Sequence, residues 1–404
     1  MGLRGQSFRI SALLLPIAVW SEAEAMNKIS RPSREAEPAE GPADLGLGRI
    51  SPQARRHNEL RRDILRHAPE LGKLAGANPW TALALPVLLA LHWGMAALVA
   101  YSGSIFLCFL GAFFFGQLII HAGGALLHES AHRLVFRRNG PKLVFDLGLE
   151  LLLGSFGKQL TYQYEHVSSH HPHLGDYEHD YEHEDICSFN ARRKIKARNP
   201  ALQHVLTGTT LVLHALPFGF LISDWLLPRL YRAASHQSVK DQSRHIGARQ
   251  VPSKLKYAFI VVSLALNVFL LLSFGWLGWL YHNWALSLFL GKMGVFNLGQ
   301  SLSEHDGDDE RHPTYSDYRA QNLILFNTGY HAEHHTFPNV AWNRLPSLRQ
   351  AAPEVFNREN PRNYVSLWWR HIREDFSPTR RNRMMSVDLS ERCPADGKGA
   401  DAAA

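Results

Sequence analysis

Two pairs of long apolar runs limit what this chain can fold into. Thr81–Tyr101 and Ser104–Leu127 are separated only by Ser102-Gly103, and Tyr257–Tyr281 and Trp284–Leu302 only by His282-Asn283. A hydrocarbon core of ~30 Å takes about 20 apolar residues as a helix, which each run supplies. Inside lipid the backbone N–H and C=O groups must be satisfied within the segment, so the runs are helices, and Pro86 and Gly94 are tolerated within the first. Joints of two residues make each pair a tight hairpin. The expected fold is an all-α integral membrane protein with four transmembrane helices in two hairpins, plus interfacial helices and a His-rich cap.

Charge orients this frame. The net charge is +7. The basic residues flank the apolar runs instead of forming a patch of their own, which argues for a membrane and against a nucleic-acid partner. Arg55, Arg56, Arg61, Arg62 and Arg66 precede the first run, within a stretch (54–74) whose apolar positions Leu60, Ile64, Leu65, Leu71 and Leu74 suit an amphipathic helix broken at Pro69. Such a segment lies on the cytosolic membrane surface or stands as a solvated helix. The apolar run 205–227 is basic on both sides, from Arg192 to Arg198 and from Arg229 to Lys256. Both flanks belong on the cytosolic side, so this run is re-entrant or interfacial. Leu143–Phe156, 14 residues long, is too short to cross and suits a buried or interfacial helix.

The ends carry less information. Residues 1–25 have the basic start, short apolar run and Ala23-Glu24-Ala25 of a secretory signal, or else Met26 is the true start. Residues 1–50 are expected to be disordered, as is the tail after about 375. Three scattered cysteines (Cys108, Cys187, Cys393) give neither a disulfide framework nor a thiolate metal site.

Histidine is the outlier, at 23 residues. His128-Glu129-Ser130-Ala131-His132 sets two imidazoles at i and i+4 on one helix face. Three more lie in His166-Val167-Ser168-Ser169-His170-His171. His305 follows Glu304 at the end of the last run, and His331-Ala332-Glu333-His334-His335 adds three. All nine fall on one side of the four-span frame. HESAH alone matches the H-E-x-x-H zinc signature, in which the glutamate is a general base, and suggests an intramembrane metalloprotease. A zinc protease needs three protein ligands, and nine imidazoles suit two metals. Cleaving an unactivated C–H bond in a lipid tail needs an oxidant made from oxygen, and non-haem iron is a common carrier of that chemistry. The tandem Asp-Tyr-Glu-His within Asp176–Asp185 is read as a solvated loop in preference to an extra cation site. His121 is read as a buried structural side chain.

HESAH, HVSSHH and HAEHH resemble the three histidine boxes of the integral-membrane lipid desaturases and hydroxylases. Phe326-Asn327-Thr328-Gly329-Tyr330 before the third box and Thr336-Phe337-Pro338-Asn339 after it are similar to the sphingolipid delta-4 desaturases (dihydroceramide desaturases). So are Ser303-Glu304-His305, Pro313-Thr314-Tyr315-Ser316 and the stretch His57–Leu74. The resemblance spans roughly residues 53–385. It divides the chain into an extension (1–50), a pre-membrane segment (51–79), a membrane desaturase domain (80–350) and a cytosolic C-terminal segment (351–404). It implies two iron ions held by His128, His132, His166, His170, His171, His305, His331, His334 and His335, with O2 as co-substrate. It also implies a lipid substrate, dihydroceramide or another acyl lipid, desaturated at C4–C5, with C4 hydroxylation as the variant reaction. No His-Pro-Gly-Gly haem motif occurs, so the electron donor is expected to be a separate protein of cytochrome b5 or ferredoxin type. The implied location is the endoplasmic reticulum in a eukaryote or the inner membrane in a bacterium, with the site facing the cytosol. Three features depart from that branch. The second box has one extra residue after its first histidine, Gln300 replaces a frequent histidine, and the stretches 176–185 and 306–310 are unusually acidic.

Overall fold

A computed structural model describes residues 50–175, 180, 199–219, 251–305 and 314–373. The expectations for the first 49 residues, for the tail after 373, for residues 220–250 and for most of 176–198 lie outside these. Among the described residues there are helices and isolated bridges but no strand.

Three stretches are long and apolar enough to cross a membrane: Pro79–Ser102, Ile105–Ala131 and Ser253–Glu304. The first contains α2 (Ala84–Ser102), which ends at Gly103 with φ 64°. Ser104 then caps α3 (Ile105–Ala131) by accepting the Leu107 N–H at 3.3 Å. The expected first hairpin is therefore present, with its joint at Gly103. Val87, Leu91, Leu98, Phe106 and Phe114 point outward and exposed, as lipid-facing side chains do, while Leu88, Ala96, Val99, Ala112 and Ile120 are buried between helices.

The third stretch, of 52 residues, is far too long for one crossing of ~30 Å. Its first part, α7 (Ser253–Leu290), breaks at Gly275, where φ is 68° and ψ −173°. The arms on either side run antiparallel. Asn283 Nδ2 donates to Asn267 Oδ1 at 3.0 Å and Trp279 Nε1 donates to the same oxygen at 2.8 Å. In a straight helix, residues 267 and 283 would be ~24 Å apart. The joint is thus at Gly275, not at His282-Asn283 as the polar dipeptide suggests. Those two side chains lie buried inside the second arm, where His282 Nδ1 and His92 Nε2 share a 3.0 Å hydrogen bond. A polar pair within an apolar run marks a turn only when it has no partner inside. Here α2 and the first arm supply the partners, and only glycine adopts the backbone found at 275. α8 (Val295–Glu304) completes the stretch.

The remaining elements close over one end of these helices. α1 (Pro52–His67) is capped by Ser51, which accepts the Ala54 N–H at 3.1 Å, and a 3-10 turn from Pro69 to Leu74 follows it. α1 neither floats in solvent nor lies only on a membrane surface. Ile64 and Leu71 join Phe337, Val340, Leu345, Leu348 and Phe356 in a second core beneath it. α4 (Asn139–Leu153) covers the short apolar run and is buried, with Leu149 and Leu152 fully enclosed. α5 (Lys158–Glu165) leads into the second histidine box. α6 (Pro200–Ala215) packs on the second arm of α7, where Trp284 Nε1 donates to Ala215 O and Ser287 Oγ to Leu216 O, both at 2.6 Å. α9 (His331–Thr336), α10 (Leu345–Ala351) and α11 (Tyr364–Arg373) form the C-terminal part, with α11 against α8.

A buried polar knot fixes α3, α4 and α5 relative to one another. Lys142 Nζ donates to Asp146 Oδ2 at 2.6 Å and to Gln163 Oε1 at 2.5 Å, and Ser130 Oγ donates to Asp146 Oδ1 at 2.5 Å. Ser130 lies within HESAH, and Gln163 stands just before the second box. Removing one member of a buried ion pair leaves the other charge unpaired, at a cost of about 3–5 kcal/mol, whereas an apolar replacement of both is often neutral. Lys142→Met is expected to lower the thermal unfolding midpoint in detergent sharply, and Lys142→Met/Asp146→Leu to recover most of the loss. Gly275→Ala, whose added Cβ meets nothing within 4 Å, should cost about 1–3 kcal/mol through backbone strain alone. Gly94→Ala, equally open but helical, should be neutral or slightly stabilising in the same melt.

Candidate metal centre

The first box occupies the end of α3. His128 lies in its last turn and His132 is its C-terminal cap. The second box is not α-helical. α5 passes into a π-turn from His166 to His170, closed by the His171 N–H on the His166 carbonyl, an i to i+5 bond. A π-turn holds one residue more than an α-turn. It therefore accommodates the three residues between His166 and His170 and keeps His166 and His171 on one face, with their Nε2 atoms 3.2 Å apart. His305 caps α8. The third box is the single-turn α9, and all three of its histidines are buried.

These elements bring the nine histidines together in two adjoining groups. The ligand atoms of His128, His132, His166, His171 and His334 all lie within 4.8 Å of one another, as do those of His170, His305 and His331. His335 joins the second group, its Nε2 being 3.2 Å from His170 Nε2 and its ring 4.4 Å from that of His331. Burial, and after it the neighbouring imidazoles, holds His132, His171, His331, His334 and His335 well below the usual histidine range. Neutral imidazoles carry a lone pair, which is the form a metal binds. His132 Nε2, His331 Nε2 and His334 Nδ1 are buried with no hydrogen-bond partner in the protein. A buried polar atom left unpaired is costly, and a bound cation would remove that cost for a nitrogen facing it. The donor set, all nitrogen, fits iron, zinc or copper, and its number fits two ions.

Around the imidazoles stands a shell that the histidine pattern does not reveal. Asp180 Oδ1 accepts from His170 Nδ1 at 2.9 Å, and Glu304 Oε2 lies 3.5 Å from His331 Nδ1. Glu333, in the middle of HAEHH, is enclosed and accepts from Ser316 Oγ and Tyr318 Oη, both at 2.7 Å. Burial pushes its carboxyl up to about 7, against the pull of those two hydroxyls. Ser316 also accepts the Ala332 N–H, so one serine fixes both the turn and its carboxylate. His57 of α1 bridges Thr336 Oγ1 (2.9 Å) and Thr314 Oγ1 (3.3 Å), with its ring 5.3 Å from that of His335. The resemblance pointed to the segments holding His57, Thr314 and Ser316. Asp180 carried no such signal. Only the fold shows that it is fully buried and not in the solvated loop expected there.

His121 and His282 stay outside both groups. His121 bonds with Gln300, which also accepts from Thr328 Oγ1 at 3.2 Å, and His282 is paired with His92. Glu129, the general base of the protease alternative, is enclosed and accepts the Trp342 N–H at 3.2 Å. Its carboxylate ties the first box to the segment after the third, so the metalloprotease reading is not supported.

Comparison with known proteins agrees with this geometry. The model of the family described as "Fatty acid desaturase" matches residues 103–368. A sphingolipid delta(4)-desaturase DES1-like protein of Oryza sativa subsp. japonica is 27% identical over 310 residues, covering 77% of this chain and 83% of the relative. Sphingolipid delta(4)-desaturase DES1 of Drosophila melanogaster is 26% identical over 318 residues, 74% and 83% of the two chains. Human sphingolipid delta(4)-desaturase/C4-monooxygenase DES2 is 38% identical over a shorter stretch of 91 residues, 22% and 28%. No solved structure matches. A match over well more than half the chain, with all three histidine boxes inside it, makes this protein an oxidoreductase belonging to the fatty acid desaturase family.

Proposed function

We propose that the chain is a di-iron, oxygen-dependent desaturase that introduces the C4–C5 double bond into the sphingoid base of dihydroceramide. The observation that carries this reading is the pair of adjoining imidazole groups, five and four residues strong, closed off at one end of a membrane-type helix frame. The sphingolipid branch rests on the named relatives in rice and fruit fly.

The nine histidines would hold two iron ions, which supply the activation of O2 that an unactivated C–H bond requires. The overall reaction removes two hydrogens from adjacent carbons. With O2, two electrons and two protons it releases two waters. The residues around the imidazoles bind, orient and exclude water. Glu333, Ser316 and His57 fix the third box, the Lys142–Asp146 knot fixes the first against the second, and α1 covers the site from outside the apolar frame. Four crossings in two hairpins fit the joints at Gly103 and Gly275, both at the far end of the helices from the histidines. The exposed Arg55, Arg62 and Arg66 on α1 suit the cytosolic face, in the endoplasmic reticulum or a bacterial inner membrane, and a separate acidic electron donor of cytochrome b5 or ferredoxin type. C4 hydroxylation at the same centre is the second reading, favoured by the similarity to human DES2.

Expression in a host without delta-4 sphingolipids, with iron and donor supplied, should yield a 4,5-unsaturated long-chain base by mass spectrometry. A C4-hydroxylated base would select the second reading, and neither product would defeat both. His334→Ala should abolish product and drop the iron content below two per chain while membrane insertion persists. His121→Ala and His282→Ala should keep both irons and lose activity only in part.

A further inference from the structure

Asp180, in the acidic stretch after the second box, reaches the candidate metal centre. The residue is fully buried. Its two oxygens serve two donors. Oδ1 accepts from His170 Nδ1 at 2.9 Å, and Oδ2 accepts the Gly175 N–H at 2.8 Å. When ionised, Asp180 can only accept, which requires the His170 proton on Nδ1 and leaves the lone pair on Nε2. Nε2 is the atom that faces His335 Nε2, 3.2 Å away, inside the four-histidine group. The turn carrying Gly175 is pinned from its other side by Ser51, whose N–H donates to Pro172 O (3.0 Å) and whose hydroxyl donates to Leu174 O (2.8 Å). Asp180 thus links the turn, held in place by α1, to the ring orientation of one histidine.

We propose that Asp180 is a positioning residue of the four-histidine metal site, fixing His170 so that its Nε2 points at the metal. The proposal rests on the di-iron reading above. Partners on the far nitrogen of a metal-binding histidine set ring orientation and ligand basicity, and their loss costs 10–100-fold in metal affinity or activity. Glu304 beside His331 offers the same group a second carboxylate. The substitution that separates positioning from mere filling is Asp180→Asn. It has the same size but one acceptor oxygen for two donors, so either His170 Nδ1–H or the Gly175 N–H must face an amide NH2.

The test uses the full chain, purified in detergent and reconstituted with 57Fe. Iron per chain, its release to a chelator and the Mössbauer spectrum are recorded for wild type, Asp180→Asn and Asp180→Glu. In Asp180→Asn, one of the two irons should leave about 10–100-fold more readily and its spectral component should shift, while the other iron stays as in wild type. Asp180→Glu, which restores a carboxylate, should recover retention at least in part. Wild-type release and spectrum in Asp180→Asn would overturn the proposal while leaving the di-iron reading intact. Wild type that fails to hold two irons would overturn that reading instead. If Asp180→Asn does not fold, a folded Asp180→Glu that retains both irons supports the role. Failure of both variants to fold assigns Asp180 to the turn alone and overturns it.

Discussion

Nine imidazoles are packed at contact distance, and burial with mutual repulsion holds His132, His171, His331, His334 and His335 in the neutral form, a condition that the surrounding residues serve. Two protonated rings 3.2 Å apart in a dry interior would repel strongly, as His171 and His334 would. Burial removes the protons and leaves lone pairs crowded around two points. Such an arrangement does not hold itself together, because imidazole lone pairs do not attract one another. The surrounding helices must hold it in place.

They do so with polar contacts outside the imidazole groups. The Lys142–Asp146 pair joins three helices at the level of the first two boxes. The Glu129 carboxylate carries the Trp342 N–H, joining the first box to the segment after the third. His57 reaches from α1 to both sides of the third box through two threonines. None of these contacts is strong singly, since a buried pair repays much of its attraction as desolvation. Their value here is geometric. The knot sets three consecutive helices against one another, and the other two contacts join elements more than 200 residues apart, so the histidines arrive together only in the folded chain.

The histidine spacing and the backbone are matched in a specific way. The third box fits one α-turn. The second has one residue too many for that, and the backbone widens into a π-turn at the same place. The widening is local, and the two groups of ring nitrogens form around it. Ten residues beyond the π-turn's last histidine, Asp180 adds a carboxylate on His170.

Much was legible in the chain alone. The periodic apolar runs required helices, because lipid leaves backbone groups no other partners. The i, i+3 and i+4 histidines required shared faces, because 3.6 residues make a turn. The nine candidate residues and the hairpin at Gly103 followed from local rules of this kind. The joint of the second hairpin did not, because whether His282 and Asn283 turn outward or pair inward depends on His92 and Asn267, which are remote in sequence. The docking of α1 under the third box and the burial of Asp180 against His170 were also beyond reach. An amphipathic helix does not name the surface it packs on, and an aspartate in an acidic run looks solvated until another segment encloses it. The chain determined which side chains could bind metal. The tertiary structure decided how they divide into two groups and what orients them, because those contacts join residues tens to hundreds of positions apart.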